Sequence, residues 1–183
     1  NVAEVPTGCA GGIASFPYSE GFESGIGVWT QSTSDDINWT VDASGTPSSN
    51  TGPSSATEGS NYLYIESSGN GTGYPTKTAV LNSPCIDLTA ESGATFGFSY
   101  HMYGGTMGTL SLQASADGSN WTTVWTKSGN QSNAWFGANV DLIAYAGGTV
   151  SLRYVGTTSS SYTSDMAIDK LSLTTGGSVA CHD

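Results

Sequence analysis

The acidic side chains offer the clearest chemistry in this sequence. An adjacent pair, Asp35 and Asp36, precedes a tryptophan, and far along the chain Asp169 lies inside an apolar stretch. Because Asp169 has the same parity as Leu171 and Leu173, simple alternation along a strand points its carboxylate inward. A carboxylate inside a protein must be paired, hydrogen-bonded or bound to a metal. Since Lys and Arg together number 4, we expect a bound cation rather than an ion pair.

The predicted metal ligands are Glu23, Asp35, Asp36 and Asp169. Oxygen ligands drawn from several segments suit Ca²⁺, which takes about six to eight oxygens, although sodium would accept a similar shell. The chain lacks the density of Cys and His that zinc or copper requires. In the alternative interpretation, Asp35 and Asp36 are turn and capping residues, and Asp169 meets Lys170 or backbone amides.

Aromatic residues supply a second kind of candidate site. Tyr74, Tyr103, Trp135 and Tyr162 fall in expected loops or on outward parity. An amphipathic ring suits a half-wet site, where a sugar could stack on it through its C–H face. We therefore predict that these four residues bind a glycan. The alternative is that the tryptophans, Trp121 included, serve core or rim packing.

Catalytic patterns are missing from the sequence. His101 and His182 are the two imidazoles, and no nucleophile elbow, HExxH motif or phosphate-binding glycine loop is present. His101 takes the strand face opposite the phenylalanines, where a sheet-surface packing role is expected. Two facing carboxylates could hydrolyse a glycosidic bond, but the candidate acids are already assigned to the cation. We therefore expect no enzyme activity.

Composition limits the partners further. The chain has 183 residues, 15 acidic side chains and a net charge of −11. Such a charge argues against nucleic acid and anionic membranes as partners. Gly, Ser, Thr and aromatic residues are plentiful, which is typical of extracellular all-β domains. No apolar run approaches the length of a membrane span, so we expect a secreted or cell-surface protein without membrane insertion.

The sequence predicts that short β-strands position the candidate metal-binding and aromatic residues. Leu63 and Ile65 alternate with Tyr62 and Tyr64, and similar alternation runs through residues 95–102, 110–114 and 150–154. Strands at this spacing, without helical periodicity, predict an all-β, two-sheet antiparallel sandwich of the jelly-roll type. We divide the chain into an N-terminal arm (1–15), the sandwich domain (16–174) and a linker or start of the next module (175–183).

Three cysteines leave the disulfide pairing open. In a secreted chain, an odd number leaves one thiol over or places its partner elsewhere. We favour Cys9–Cys85, which would pin the N-terminal arm to the end of a strand. The rival pairing is Cys85–Cys181.

Several stretches, taken together, resemble the MAM domain, the extracellular module of meprins, neuropilins and receptor-type tyrosine phosphatases. The matching pieces occur in family order between residues 16 and 173. Among them are Phe22-Glu23, Asp35-Asp36-Ile37-Asn38-Trp39, Thr51-Gly52-Pro53-Ser54, Tyr62-Leu63-Tyr64-Ile65-Glu66, Phe98-Ser99-Tyr100-His101-Met102-Tyr103-Gly104 and Ala167-Ile168-Asp169.

The resemblance implies a jelly roll with a structural cation and a role in adhesion or ligand binding without catalysis. Glu23, Asp36 and Asp169 correspond to acidic positions around the family's cation. Ser55 stands where animal members usually carry an acid, and the animal cysteine framework is absent. The stretches Phe16-Pro17-Tyr18-Ser19-Glu20 and Ser83-Pro84-Cys85 are similar to the MAM domains of secreted multidomain proteins from marine Bacteroidetes. Those proteins are often peptidases or polysaccharide-degrading enzymes.

These observations predict an accessory module of a secreted bacterial protein that binds a polysaccharide or another glycan and is stabilised by calcium. Other modules of the parent protein are further expected partners. The alternative is a protein-interaction or adhesion module that binds no sugar.

Overall fold

A computed structural model describes residues 9–176, which form twelve β-strands and one short 3-10 helix. The helix is Ile143–Tyr145, and no helix within residues 9–176 has the length and apolar character needed to cross a membrane. The strands are β1 (Tyr18–Glu20), β2 (Thr30–Gln31), β3 (Thr40–Asp42), β4 (Tyr62–Ile65), β5 (Thr78–Asn82), β6 (Ile86–Asp87), β7 (Ala94–Met102), β8 (Thr109–Ser115), β9 (Thr122–Ser128), β10 (Trp135–Asp141), β11 (Thr149–Thr157) and β12 (Met166–Thr175).

The strands form two sheets packed face to face. Sheet 1 has the order β10-β7-β12-β4-β3, with β1 also paired to β12. Sheet 2 has the order β2-β5-β11-β8-β9, with β6 also paired to β11. These strand pairs are all antiparallel. The fold is therefore a two-sheet jelly-roll sandwich, which confirms the predicted fold class.

Alternating side chains build the core between the sheets. Along β4, Leu63 and Ile65 lie in the main core, whereas Tyr62 and Tyr64 belong to a separate cluster on the opposite face. The inward residues of β7, β8 and β11 repeat this pattern. Each outward face of the sandwich is thus left to polar and aromatic side chains.

The N-terminal arm connects the two sheets. Cys9 and Cys85 form a disulfide with a Cα–Cα distance of 5.6 Å. Ile13 is buried, and its backbone donates to Cys85 O at 2.9 Å and accepts from Asp87 N at 2.8 Å. The chain then crosses to sheet 1 as β1. Cys181 and most of the predicted 175–183 linker lie outside the described residues, so the domain boundaries stay predictions.

A β-bulge in β12 reverses the expected orientation of Asp169. The register between β12 and β7 shifts between Asp169 and Ser172, and Lys170 has a φ of 54°. The extra residue resets the alternation. Leu171 packs in the main core, whereas Asp169 shares the outward face of Ala167. The prediction that the Asp169 carboxylate points into the core was therefore wrong.

Candidate functional site

Asp169 is nevertheless fully buried, because a long loop covers it. Its Oδ2 accepts hydrogen bonds from the backbone N–H groups of Thr57 at 3.0 Å and Glu58 at 3.1 Å. Its Oδ1 accepts one from Lys170 N at 2.7 Å. Burial raises the pKa of Asp169, and these hydrogen bonds oppose the shift. The carboxylate therefore anchors residues 43–61, which we call the 43–61 loop.

Glu23 anchors the same loop a few residues further on. Its Oε1 accepts from the backbone N–H groups of Ser60 and Asn61, both at 2.9 Å. Asn61 Nδ2 in turn donates to Phe22 O at 3.2 Å. Glu23, in the turn after β1, and Asp169, on β12, thus hold one stretch of the loop from two distant parts of the chain.

Asp35 and Asp36 lie in the turn after β2, beside the other sheet, where they extend the hydrogen-bonding pattern of β5. Asp35 Oδ2 accepts from Val80 N at 2.6 Å, and Asp36 Oδ2 accepts from Thr78 N at 2.8 Å and Thr78 Oγ1 at 3.0 Å. These bonds lower the pKa of Asp36. Because β2 ends at Gln31, the N–H groups of β5 need other acceptors, which the two carboxylates supply.

The four predicted metal ligands therefore fall into two places. Glu23 and Asp169 hold the 43–61 loop over sheet 1, and Asp35 and Asp36 hold a turn against sheet 2. Within residues 9–176, no group of three or more His, Cys, Asp or Glu side chains gathers in a metal-binding arrangement. The interpretation of Asp35 and Asp36 as turn and capping residues agrees with their contacts.

Sequence reasoning did not single out Asp165, which is fully buried. Its Oδ1 accepts from the backbone N–H and the hydroxyl of Ser67, both at 2.8 Å. Within residues 9–176, its Oδ2 is buried with no hydrogen bond of good geometry, although the Thr46 hydroxyl approaches the carboxylate. Burial raises the pKa of Asp165, and the Ser67 hydrogen bonds oppose this shift. No pattern in the sequence distinguishes Asp165 from the neighbouring polar loop residues.

The four aromatic residues predicted to bind a glycan are not joined by one set of ring contacts within residues 9–176. Tyr103 and Trp135 flank the buried His101, with ring-centroid distances to it of 6.5 and 5.4 Å. Within residues 9–176, no aromatic contact joins Tyr74 or Tyr162 to this pair. Tyr162 is 42% exposed, and Tyr74 follows the 69–73 turn.

Trp135 is held by the 43–61 loop and lies over sheet 1. Its Nε1 donates to Ser55 O at 2.9 Å, and its ring centroid lies 6.0 Å from that of Tyr62. Ala56 packs on the same cluster. His101 Nε2 is 3.0 Å from Asn133 Oδ1, and burial lowers the pKa of His101. The loop therefore covers the part of the outer face of sheet 1 that carries these aromatic residues.

The outer face of sheet 2 carries a row of polar side chains instead. Gln113 on β8, Arg153 on β11 and Asn82 on β5 are direct cross-strand partners. Arg153 Nε donates to Gln113 Oε1 at 2.7 Å. Alternation in β11 predicts Arg153 to point outward, but the register that aligns it with Gln113 and Asn82 comes from pairing between distant strands.

Trp121 lies beside this row. The Arg153 guanidinium carbon is 4.1 Å from the centroid of the Trp121 ring, within cation–π range. Trp121 follows the 115–120 turn, in which Asp117 Oδ1 accepts from Ser119 N at 2.8 Å and Asn120 N at 2.7 Å. Such a hydrogen-bonded turn fixes where the indole is presented.

Together these side chains border an open cleft of about 410 Å³, which we call the sheet-2 cleft. Its walls combine an indole, a guanidinium, two side-chain amides and one carboxylate. They include Asp35, Asn82, Gln113, Trp121 and Arg153. Polar groups that converge around an aromatic ring in a concave site are suited to holding a small polar ligand. None of Tyr74, Tyr103, Trp135 and Tyr162 lines this cleft.

Comparison with known protein families identifies the family of this chain. The family profile of the MAM domain, meprin/A5/mu, matches residues 21–181, so the chain belongs to the MAM family. MAM domain-containing glycosylphosphatidylinositol anchor protein 2 of Mus musculus is 32% identical over 175 residues, which cover 85% of this chain and 18% of that protein. The chain thus spans less than a fifth of this relative.

Solved structures share the fold at low sequence identity. The K1 cleaved adhesin domain of Lys-gingipain from Porphyromonas gingivalis has a TM-score of 0.63 and 21% identity, and the match covers 89% of this chain and 100% of that chain. The carbohydrate-binding module TmCBM61, solved with β-1,4-galactotriose, has a TM-score of 0.57 and 19% identity, with coverage of 85% and 94%. At these identities the likeness shows the fold.

Proposed function

We propose that this chain is a non-catalytic, extracellular binding module that binds a polysaccharide in the sheet-2 cleft. The observation that carries the proposal is the meeting of Trp121 with the polar row of Gln113, Arg153 and Asn82 on an open sheet face. An aromatic face can pack against the C–H groups of a sugar, while the amides and guanidinium bind its hydroxyls. A similar fold holds galactotriose in TmCBM61.

The non-catalytic part of the proposal rests on the chemistry of the cleft walls. Glycoside hydrolysis generally takes two carboxyl groups on either side of the scissile bond. The sheet-2 cleft described above provides one, Asp35, whose Oδ2 accepts from Val80 N, and the neighbouring Asp36 Oδ2 accepts from Thr78 N and Thr78 Oγ1. These walls are equipped to hold a sugar but not to cleave it.

Affinity electrophoresis in native gels that contain soluble polysaccharides tests the proposal. We expect one or more of xylan, galactan and glucan to retard the wild-type protein. Trp121→Ala should weaken retention roughly tenfold or more, as for the loss of a central aromatic anchor. Tyr162→Ala, an exposed aromatic outside the cleft, is the matched control. Retention lost in Tyr162→Ala but kept in Trp121→Ala would overturn the choice of site, and no retention on any gel would overturn glycan binding.

A protein-interaction or adhesion role is the second candidate, and exposed apolar side chains favour it. Val28 and Ile143 are 53% and 61% exposed. In this case the module would bind another module of its parent protein or a second protein. Sedimentation velocity over a range of concentrations separates the two candidates, because self-association that is abolished by Ile143→Ser would support adhesion.

Calcium binding stays a prediction, and of the four predicted ligands Glu23 and Asp169 remain the candidates for one shared site. The two carboxylates approach the same stretch of the 43–61 loop, but both accept backbone N–H bonds there. A cation would need carbonyl oxygens, hydroxyls and water to complete its shell. An unchanged melting curve when Ca²⁺ replaces a chelator would contradict calcium binding. A rise in Tm with Ca²⁺ that is lost in Asp169→Ala would support it.

A further inference from the structure

A second cleft adjoins the sheet-2 cleft. The second cleft, of about 310 Å³, lies along the 32–38 turn and is also lined by Asp36 and Asn38. The two clefts share Ser32 and Asp35 as lining residues. They are therefore adjacent, and we call the pair the sheet-2 groove, whose lining residues extend from Trp121 to Asn38.

The groove crosses the strands rather than following one of them. Its residues come from β8, β11 and β5 and then from the turn after β2. Neighbouring strands lie about 4.8 Å apart, so β8 and β2 are separated by about 14 Å. Each cleft alone reaches the volume range of roughly 300–1,000 Å³ that is usual for a small-molecule site. One sugar ring would leave most of the groove empty.

The charges of the groove favour an uncharged ligand. Arg153 and Asp35 line the same cleft and carry opposite charges, and Asp36 in the second cleft adds a further negative charge. Sugar hydroxyls both donate and accept hydrogen bonds, so a neutral sugar can satisfy both groups, whereas a uronate would be repelled by Asp35. The net charge of −11 adds a general repulsion of polyanions.

We propose that the sheet-2 groove binds an internal stretch of an uncharged polysaccharide several sugars long. One sugar packs at Trp121 beside Arg153, and the following sugars cross β5 towards Asn38. The inference rests on the proposed function, and it adds the class and the length of the ligand.

Calorimetry with a ladder of oligosaccharides tests the inference. The probes are β-1,4-galacto-oligosaccharides and xylo-oligosaccharides of two to six sugars, with oligogalacturonides as the acidic series. We expect the affinity for one neutral series to rise at least tenfold from the disaccharide to the longer chains. Asn38→Ala should weaken binding of the hexasaccharide severalfold and leave disaccharide binding unchanged. Asn38 is exposed and its side chain makes no hydrogen bond within residues 9–176, so folding should be preserved.

The possible outcomes separate the two proposals. Affinity that stops rising at the disaccharide, with no effect of Asn38→Ala, would overturn the extended groove and keep glycan binding in the sheet-2 cleft. Tighter, salt-sensitive binding of oligogalacturonides would overturn the neutral ligand class. Sugar binding that survives Trp121→Ala unchanged would overturn the proposed site, and with it this inference.

Discussion

Replacement of Asp169 by alanine tests whether a buried carboxylate holds the 43–61 loop through backbone amides. The substitution removes the acceptor of three N–H groups, those of Thr57, Glu58 and Lys170. Hydrogen bonds to charged groups contribute about 1.5–3 kcal/mol each. Because Thr57, Glu58 and Lys170 are exposed and their N–H groups can turn to water, we take about 1 kcal/mol for each.

The expected loss is therefore about 3 kcal/mol in the free energy of unfolding. For a domain of this size, about 1 kcal/mol shifts Tm by roughly 2–4 °C, so Tm should fall by roughly 6–12 °C. Urea unfolding followed by tryptophan fluorescence gives the free energy directly. Asp141→Ala is the matched control, because the Asp141 side chain accepts a solvent-exposed hydrogen bond from Ile143 N at 2.9 Å. The control should lose about 1 kcal/mol or less.

The same measurement in a chelator separates amide anchoring from cation binding. If Asp169 acts through the loop amides, the difference between wild type and Asp169→Ala persists in the chelator. A difference that vanishes there would show that Asp169 acts through a metal, and a loss no larger than that of Asp141→Ala would refute the anchoring argument altogether.

Two further substitutions test the buried acid and the disulfide. Burial raises the pKa of Asp165. A group of this sign contributes stability that is present below its unfolded pKa of about 3.9 and is lost as pH rises through the folded pKa. Asp165→Asn should therefore flatten the fall in Tm as pH rises from about 4 to neutrality, and a pH profile parallel to the wild type would contradict this. Joint replacement of Cys9 and Cys85 by serine removes a cross-link over a sequence separation of 76 and should lower the unfolding free energy by about 4 kcal/mol in urea titrations, whereas full stability would refute the estimate.

Local alternation predicts much of this fold, because burial of one strand face is a local requirement. Leu63 and Ile65 lie in the core between the sheets, as their spacing predicts. Alternation fails at Asp169, where the bulge at Lys170 resets the parity of β12. A bulge of this kind depends on the pairing of β12 with β7, and a single strand carries no signal for it.

The candidate site depends on register and on loops, which the sequence alone does not specify. Trp121 directly precedes β9, and Arg153 lies on β11, two strands away in sheet 2. Neither residue therefore identifies the other in the sequence. Asp35 and Asp36 form a conspicuous pair, yet their partners are backbone N–H groups of β5, and every strand has such groups. Loop position and outward parity select Tyr74, Tyr103 and Tyr162, but neither reveals which sheet face carries an open cleft.

The disulfide has a mechanical consequence. Tyr18 pairs with Leu173, so the start of β1 lies beside the end of β12. Tension applied between the two ends of such a pair would unzip its hydrogen bonds one after another. The Cys9–Cys85 bond precedes β1 and diverts the load into the opposite sheet. The domain with the Cys9–Cys85 disulfide intact should therefore withstand a stretching force that separates β1 from β12 once the disulfide is reduced.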